Sequence, residues 1–291
     1  MLNKLREFDP NLTFEKINKK FYREFVKSLN KKKFSDNYIG SMIRDLKRIL
    51  NHASEDGVNT NKEFEEFDVI SEDVFNIYLT EDEIKKIYDL KIDRGTIEEI
   101  QKWAEEDPFI SVSNIHRQIE ALDRARKLFV IGCWTGLRVE NYLSIDPDIQ
   151  VDLENGFLHA IANKNGPKLK IPLHRMVREI VEQHGFPDPI SAQKLNKHIK
   201  ILGRLAGIND SIIFSKTLGG RREEFAKKKY EMIVSHTARR SFASNLISRG
   251  IPKQYVMAVT GHSSEKSFNK YIAAVQKDIL TEKLKGYDVW R

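Results

Sequence analysis

Residues 236–250, HTARRSFASNLISRG, and residues 259–272, VTGHSSEKSFNKYI, carry helix punctuation at every boundary. Ser235 stands where a side-chain oxygen caps a first turn, Gly250 ends that helix, and Pro252 suits the opening turn of the next. Gly261 closes this second, short helix, and Ser263 or Ser264 caps a third that bears Tyr271. His236 and Arg239 are one turn apart and share a helical face, and Tyr271 follows His262 by nine residues. The spacing therefore predicts consecutive helices that display histidine, arginine and tyrosine side chains.

Working upstream, Ile119 to Cys133 places Leu122, Ala125, Leu128, Phe129 and Gly132 on one side of a helix that stops at Thr135-Gly136. Arg138 opens the helix after it. The period then changes. Ile149 to Val151, residues 156–162 and residues 168–173 alternate or run apolar in short lengths, with Glu154-Asn155-Gly156 and Asn165-Gly166 as turns. They predict a small antiparallel sheet with Lys164 at a hairpin tip. Helical spacing returns with Met176, Ile180 and Val181, then with Leu195, Ile199, Leu202 and Leu205, whereas residues 217–230, TLGGRREEFAKKKY, read as an exposed loop.

Toward the N-terminus, Phe14, Ile17, Phe21, Phe25 and Leu29 recur at three- and four-residue intervals, as do Ile39, Ile43, Leu46, Ile49 and Leu50 behind the cap candidate Ser35. The acidic stretch Glu63 to Asp68, with Val69 to Ser71, reads as a linker. A new domain starts near Thr80, where Thr-Glu-Asp-Glu caps a helix through Ile84, Ile87 and Leu90. The expected fold is mainly α with a small antiparallel β-sheet, in two domains: residues 1–75, a helical bundle with its acidic linker, and residues 76–291.

A chain of 291 residues is ample for two cores. It has no run of about eighteen apolar residues, and its N-terminus lacks an apolar signal segment, so a cytoplasmic protein without membrane contact is expected. The single cysteine, Cys133, lies in the apolar run LFVIGCW and reads as a buried side chain; it excludes an internal disulfide and makes thiolate metal ligation implausible. The net charge of +7 is unevenly placed: residues 1–50 carry +7, residues 51–75 carry −7, and the remainder carries +7. Two basic surfaces joined by an acidic strip are what a polyanion-binding protein presents.

The residue types themselves point to a reaction. A phosphodiester resists attack because its charge repels nucleophiles and its alkoxide leaves poorly. Two guanidiniums, Arg138 and Arg239, are suited to hold the nonbridging oxygens bidentately. A tyrosine hydroxyl, with an unperturbed pKa of about 10, needs a neighbouring base or cation before it can attack. His236 and His262 are close in sequence to Arg239 and Tyr271, and neither has the HxxxH or HExxH spacing of a metal ligand pair. This set needs no metal and no cofactor.

In order and spacing, Arg138, Lys164, His236, Arg239, His262 and Tyr271 resemble the site of the tyrosine recombinase (phage integrase) family, with His236 to Arg239 as its HxxR box. IYLTEDEIKKIYDL (residues 77–90) before TGLR is similar to integrases of bacterial conjugative transposons and related mobile elements. The resemblance implies an N-terminal SAM-like core-binding domain and a C-terminal catalytic domain that clamp double-stranded DNA. It further implies strand cleavage through a 3′-phosphotyrosine, a homo-tetramer at the synapse and DNA-bending accessory proteins. Lys164 is then the general acid for the leaving 5′ oxygen, with Lys168 and Lys170 as competitors. The family's frequent acidic residue three after the first arginine is Asn141 here, with Glu140 one place before it. A type IB topoisomerase would use the same residue types, and a DNA-binding regulator without catalysis is the reading from another class; the intact set of six speaks against the latter.

Overall fold

The computed structural model describes residues 1–106, 115–161 and 168–285. The chain forms two compact units, one of Met1–Phe75 with Ile213–Ala226, the other of Asn76–Ile212 with Lys227–Arg291.

In the first unit, α1 (Leu2–Phe8), α2 (Lys19–Lys31) and α3 (Asp36–Glu55) are built as their sequence dictates. The Asn18 side-chain oxygen accepts from the amides of Lys20 and Phe21, and the Ser35 hydroxyl accepts from Tyr38. Phe21, Phe25 and Leu29 of α2 are buried with Ile39, Ile43, Leu46 and Leu50 of α3. Each such side chain contributes about 1.5–3 kcal/mol on burial.

The acidic stretch is not a linker. Glu63–Glu66 forms a 3-10 turn in which Phe64 and Phe67 are buried at 1% and 3% exposure, while Lys47 donates to the carbonyls of Glu65 and Phe67 at 2.8 and 2.9 Å. Four carboxylates mask two phenylalanines at helical spacing; the acids stay in water and the rings enter the core.

The expected loop at 217–230 is instead largely a hairpin, with strands Ser211–Leu218 and Arg221–Lys228. Its two-residue turn is Gly219-Gly220, with φ of 59° and 74°, the positive values that a type I′ turn demands. In the first unit Phe214 stacks between Phe75 and Phe225, at 6.1 and 5.7 Å, and the Glu72 carboxylate accepts from the Thr217 amide at 3.0 Å. Charged residues throughout the second strand hide the alternation that would have marked it.

The second unit runs α4 (Glu81–Tyr88), α5 (Arg94–Glu106), α6 (Ile115–Thr135), α7 (Val139–Tyr142) and α8 (Pro147–Gln150), then strands β1 (Val151–Asp152), β2 (Phe157–Ile161) and β3 (Lys168–Pro172). It continues with α9 (Arg175–His184) and α10 (Ala192–Leu205) and, after the hairpin strands of the first unit, numbered β4 and β5 in chain order, with α11 (Ser235–Ser248), α12 (Lys253–Thr260) and α13 (Glu265–Lys285). Thr80 and Glu83 form the expected capping box of α4. β1, β2 and β3 make the expected antiparallel sheet, with Leu158 opposite Ile171 and both buried. Ile149, expected at a strand start, lies in α8 with 77% exposure, because Asp146 caps a turn that Pro147 opens.

α6 and α11 form the middle of this unit. Ala125, Leu128, Phe129 and Cys133 of α6 are fully buried, and burial pushes the Cys133 thiol well up, which suits a packing role. α11 is lined by small residues, so other chain segments approach closely: Ser241 accepts from the Leu79 amide and Asn245 donates to the Leu79 carbonyl. Ser235 does not cap it. The Val234 amide donates to the Thr237 hydroxyl and the Ser235 amide to the Asn196 side chain, so the helix starts one residue early and Ser235 is buried inside it. Among the described residues no helix is long and apolar enough to cross a membrane.

Candidate active site

Two helix ends and two helix faces carry the predicted side chains. α6 stops at Gly136, and two residues later Arg138 is the N-cap of α7. Gly136 has φ of +65°, and a Cβ there would collide with the Phe242 ring, so this turn accepts only glycine. His236 and Arg239 project from adjacent turns of α11. His262 follows the Gly261 that closes α12 in left-handed conformation, and Ser264 accepts from the Ser267 amide to start α13, which bears Tyr271.

These elements bring His236, Arg239, His262 and Tyr271 together. The Tyr271 hydroxyl is hydrogen-bonded to Nε2 of His236, whose ring meets the Tyr271 ring edge-on at 5.0 Å and 79°. The His262 ring lies 4.6 Å from the same tyrosine ring at 71°. Arg239, only 2% exposed, donates from Nη1 to the Gly136 carbonyl at 2.8 Å, and its Cζ is 6.0 Å from the Tyr271 ring centroid. Arg138 is near enough to both histidines for its charge to act on them. Lys164, with its turn Asn165-Gly166, lies outside the described residues. Of its competitors, Lys170 holds its Nζ over the Phe157 ring at 4.0 Å, and both Lys168 and Lys170 are on β3. Asn141 donates to the Ile161 carbonyl at 3.1 Å.

The electrostatics follow from crowding positive charge in a partly dry site. Burial first, then Arg240, Arg239 and Arg138, push His236 down to about 4. Burial, Arg239, Arg138 and His236 push His262 down to about 4 as well. Both rings are therefore neutral at pH 7, and a neutral imidazole has a lone pair to accept with. Burial also lowers Arg239, but a guanidinium starts so high that it stays charged. The Nε groups of Arg239 and Arg240 are buried without a hydrogen-bond partner among the described residues, an arrangement that favours an anion.

Arg240 escaped the sequence reading. Its Cζ is 5.6 Å from the Tyr271 ring centroid and it is the largest charge acting on His236. Two adjacent arginines in a helix whose other residues from Ser235 to Asn245 are mostly Ser, Thr and Ala were the available signal, since small side chains let neighbouring segments bury most of that stretch. Thr260, which pairs with His262, carried no signal of its own.

Among the described residues no group of three or more His, Cys, Asp or Glu is placed to hold a metal ion. The phage integrase family model matches residues 109–277, more than half of the chain and all of the described site.

The chain belongs to the phage integrase family.

A phage integrase SAM-like domain matches residues 1–70, so the expected N-terminal helical domain and C-terminal integrase domain are both present, in a mainly α fold with small antiparallel sheets. As a tyrosine recombinase the protein is an enzyme of DNA recombination. Solved structures share the fold at low identity. A lambda integrase (75–356) dimer bound to a COC′ core site has a TM-score of 0.60 and 16% identity, over 93% of this chain and 86% of that one. The XerH site-specific recombinase, in a post-cleavage complex with palindromic difH substrate, gives 0.62 and 17%, over 98% and 77%. The Tn1549 transposon integrase (82–397), in complex with circular intermediate DNA, gives 0.56 and 16%, over 93% and 86%. Comparison with curated protein sequences returned no match.

Proposed function

We propose that this integrase-family protein is a site-specific recombinase that cleaves and rejoins duplex DNA through a 3′-phosphotyrosine on Tyr271. The observation that carries the reading is the hydrogen bond between the Tyr271 hydroxyl and a neutral His236, with Arg239 and His262 beside the same tyrosine ring. In the reaction, the phenol oxygen attacks the scissile phosphorus while its proton passes to Nε2 of His236. Arg138 and Arg239 hold the nonbridging oxygens and strengthen their grip as charge builds on them. The bond to the 5′ oxygen breaks, and that oxygen takes a proton from Lys164, the role the family resemblance gives it. A 5′ hydroxyl of a second strand then attacks the phosphotyrosine, so the bond energy is conserved and no nucleotide is consumed.

Residues 1–75 act in this reading as the core-binding domain and residues 76–291 as the catalytic domain, both on double-stranded DNA. The partner architecture is a homo-tetramer at the synapse, supported by relatives such as a lambda integrase tetramer bound to a Holliday junction, with DNA-bending accessory proteins beside it and the cytoplasm as the compartment. Incubation with nicked duplex suicide substrates tests the reading. A covalent protein–DNA adduct establishes the enzyme, and exchange between two sites separates it from a strand-relaxing topoisomerase.

A further inference from the structure

Thr260 is the last residue of α12 and is completely buried. Its hydroxyl donates to the Val256 carbonyl one turn earlier at 2.7 Å, with the Met257 carbonyl at 3.4 Å on the same side. A hydroxyl has one hydrogen, and here it is committed to the helix backbone. The same oxygen lies 2.7 Å from Nδ1 of His262. Since Thr260 has no second hydrogen to give, the short contact requires the ring to donate: Nδ1 carries the proton and Nε2 carries the lone pair.

The rest of the surroundings hold that ring still. The His262 amide donates to the Met257 carbonyl at 3.0 Å, which fixes the backbone, and Phe268 and Tyr271 of α13 pack edge-on against the imidazole at 5.3 and 4.6 Å. A ring flip would set a carbon against the Thr260 oxygen and lose the hydrogen bond. The charged groups acting on His262 are Arg239 of α11 and Arg138 at the start of α7, with the titratable His236 ring of α11 beside them.

We propose that Thr260 is a positioning residue of the active site, which holds His262 as its Nδ1–H tautomer so that Nε2 is the nitrogen offered to the scissile phosphate. Any further proton that the ring takes up beside a phosphate then has only Nε2 to occupy, and the resulting N–H is aimed at a nonbridging oxygen. The proposal rests on the recombinase reading for the identity of the phosphate, but the tautomer stands on geometry alone.

The test uses the full chain, ¹⁵N-labelled, at pH 7, with long-range ¹H–¹⁵N correlation of the histidine rings, and Thr260→Val and Thr260→Ser beside it. Valine fills the same volume without the oxygen, and serine restores the oxygen. The expected wild-type spectrum has His262 protonated on Nδ1, T260S keeps it, and T260V shows a mixture of tautomers. On nicked suicide duplex the single-turnover cleavage rate of T260V should fall on the order of tenfold, the weight of one neutral hydrogen bond, with T260S close to wild type. A wild-type His262 protonated on Nε2 overturns the proposal, and so does a T260V protein whose spectrum or cleavage rate equals wild type. If wild type forms no DNA adduct, the recombinase reading fails by itself, and the spectra still decide the role of Thr260.

Discussion

Nη1 of Arg239 donates to the carbonyl oxygen of Gly136 across 103 residues of sequence, which ties the helix bearing His236 to the turn that presents Arg138. One buried hydrogen bond thus links the HTAR and TGLR segments. The site's two proposed phosphate-binding guanidiniums are held through it on a shared piece of backbone.

The turn itself is the first point to test. Gly136→Ala puts a Cβ into the Phe242 ring in a left-handed conformation, so thermal unfolding should show a loss of about 2 kcal/mol or more. Cleavage should fall with it, because Arg138 moves with the turn. A variant that melts and cleaves as wild type does would show that the turn is not tightly built.

Arg138→Ala and Arg239→Ala should each slow cleavage by orders of magnitude, since losing one charged donor to a developing oxyanion costs about 3–4 kcal/mol. Arg239→Ala also strips the buried Gly136 carbonyl of its side-chain donor and should destabilise the fold by about 1–3 kcal/mol. Single-turnover rates and melting curves of the two variants check this, and a rate loss below tenfold in either contradicts the assignment.

The pH dependence has a definite sign. His236 and His262 titrate near 4 when folded, against about 6.5 in the unfolded chain, so between those values the unfolded state binds more protons. Their contribution to stability is present above about pH 6.5 and is lost as the pH falls toward 4. Cleavage should be flat from neutrality to about pH 5 and then drop as His236 becomes unable to accept the tyrosine proton. A rate profile with its midpoint near 6.5 would contradict the depressed values.

Lys20, Arg23, Lys27 and Lys31 are all exposed and follow one another at three- and four-residue intervals along α2. If they meet phosphates, Lys20→Ala with Lys27→Ala should flatten the slope of log affinity against log salt by about 0.9 for each phosphate no longer neutralised. The weakening should be the same on specific and unrelated duplexes. An unchanged slope would place this stripe off the DNA.

How much of this could be read from sequence depended on whether one physical signal dominated. Helix caps at Ser35, Thr80 and Ser264 and the close of α12 at Gly261 were legible, because capping chemistry is local. Ser235 misled because two other residues, Thr237 and Asn196, took the amides it would have served, and one of them is remote in sequence. The acidic 63–68 stretch and the hairpin at 211–228 were misread for a common reason: dense surface charge drowned the few rings, Phe64, Phe67, Phe214 and Phe225, that anchor them. The spacing of His236, Arg239, His262 and Tyr271 foretold a cluster, whereas Arg240 and Thr260 act through contacts that only three dimensions reveal.

The central claim is that Tyr271 is the nucleophile, and covalent trapping on nicked suicide duplex in the presence of EDTA tests it most directly. Wild type should form an adduct under chelation, since guanidiniums and a lysine supply the positive charge. Tyr271→Phe should keep its DNA affinity and form none. An adduct formed by the phenylalanine variant, or a wild-type reaction abolished by EDTA and restored by a divalent ion, would contradict it.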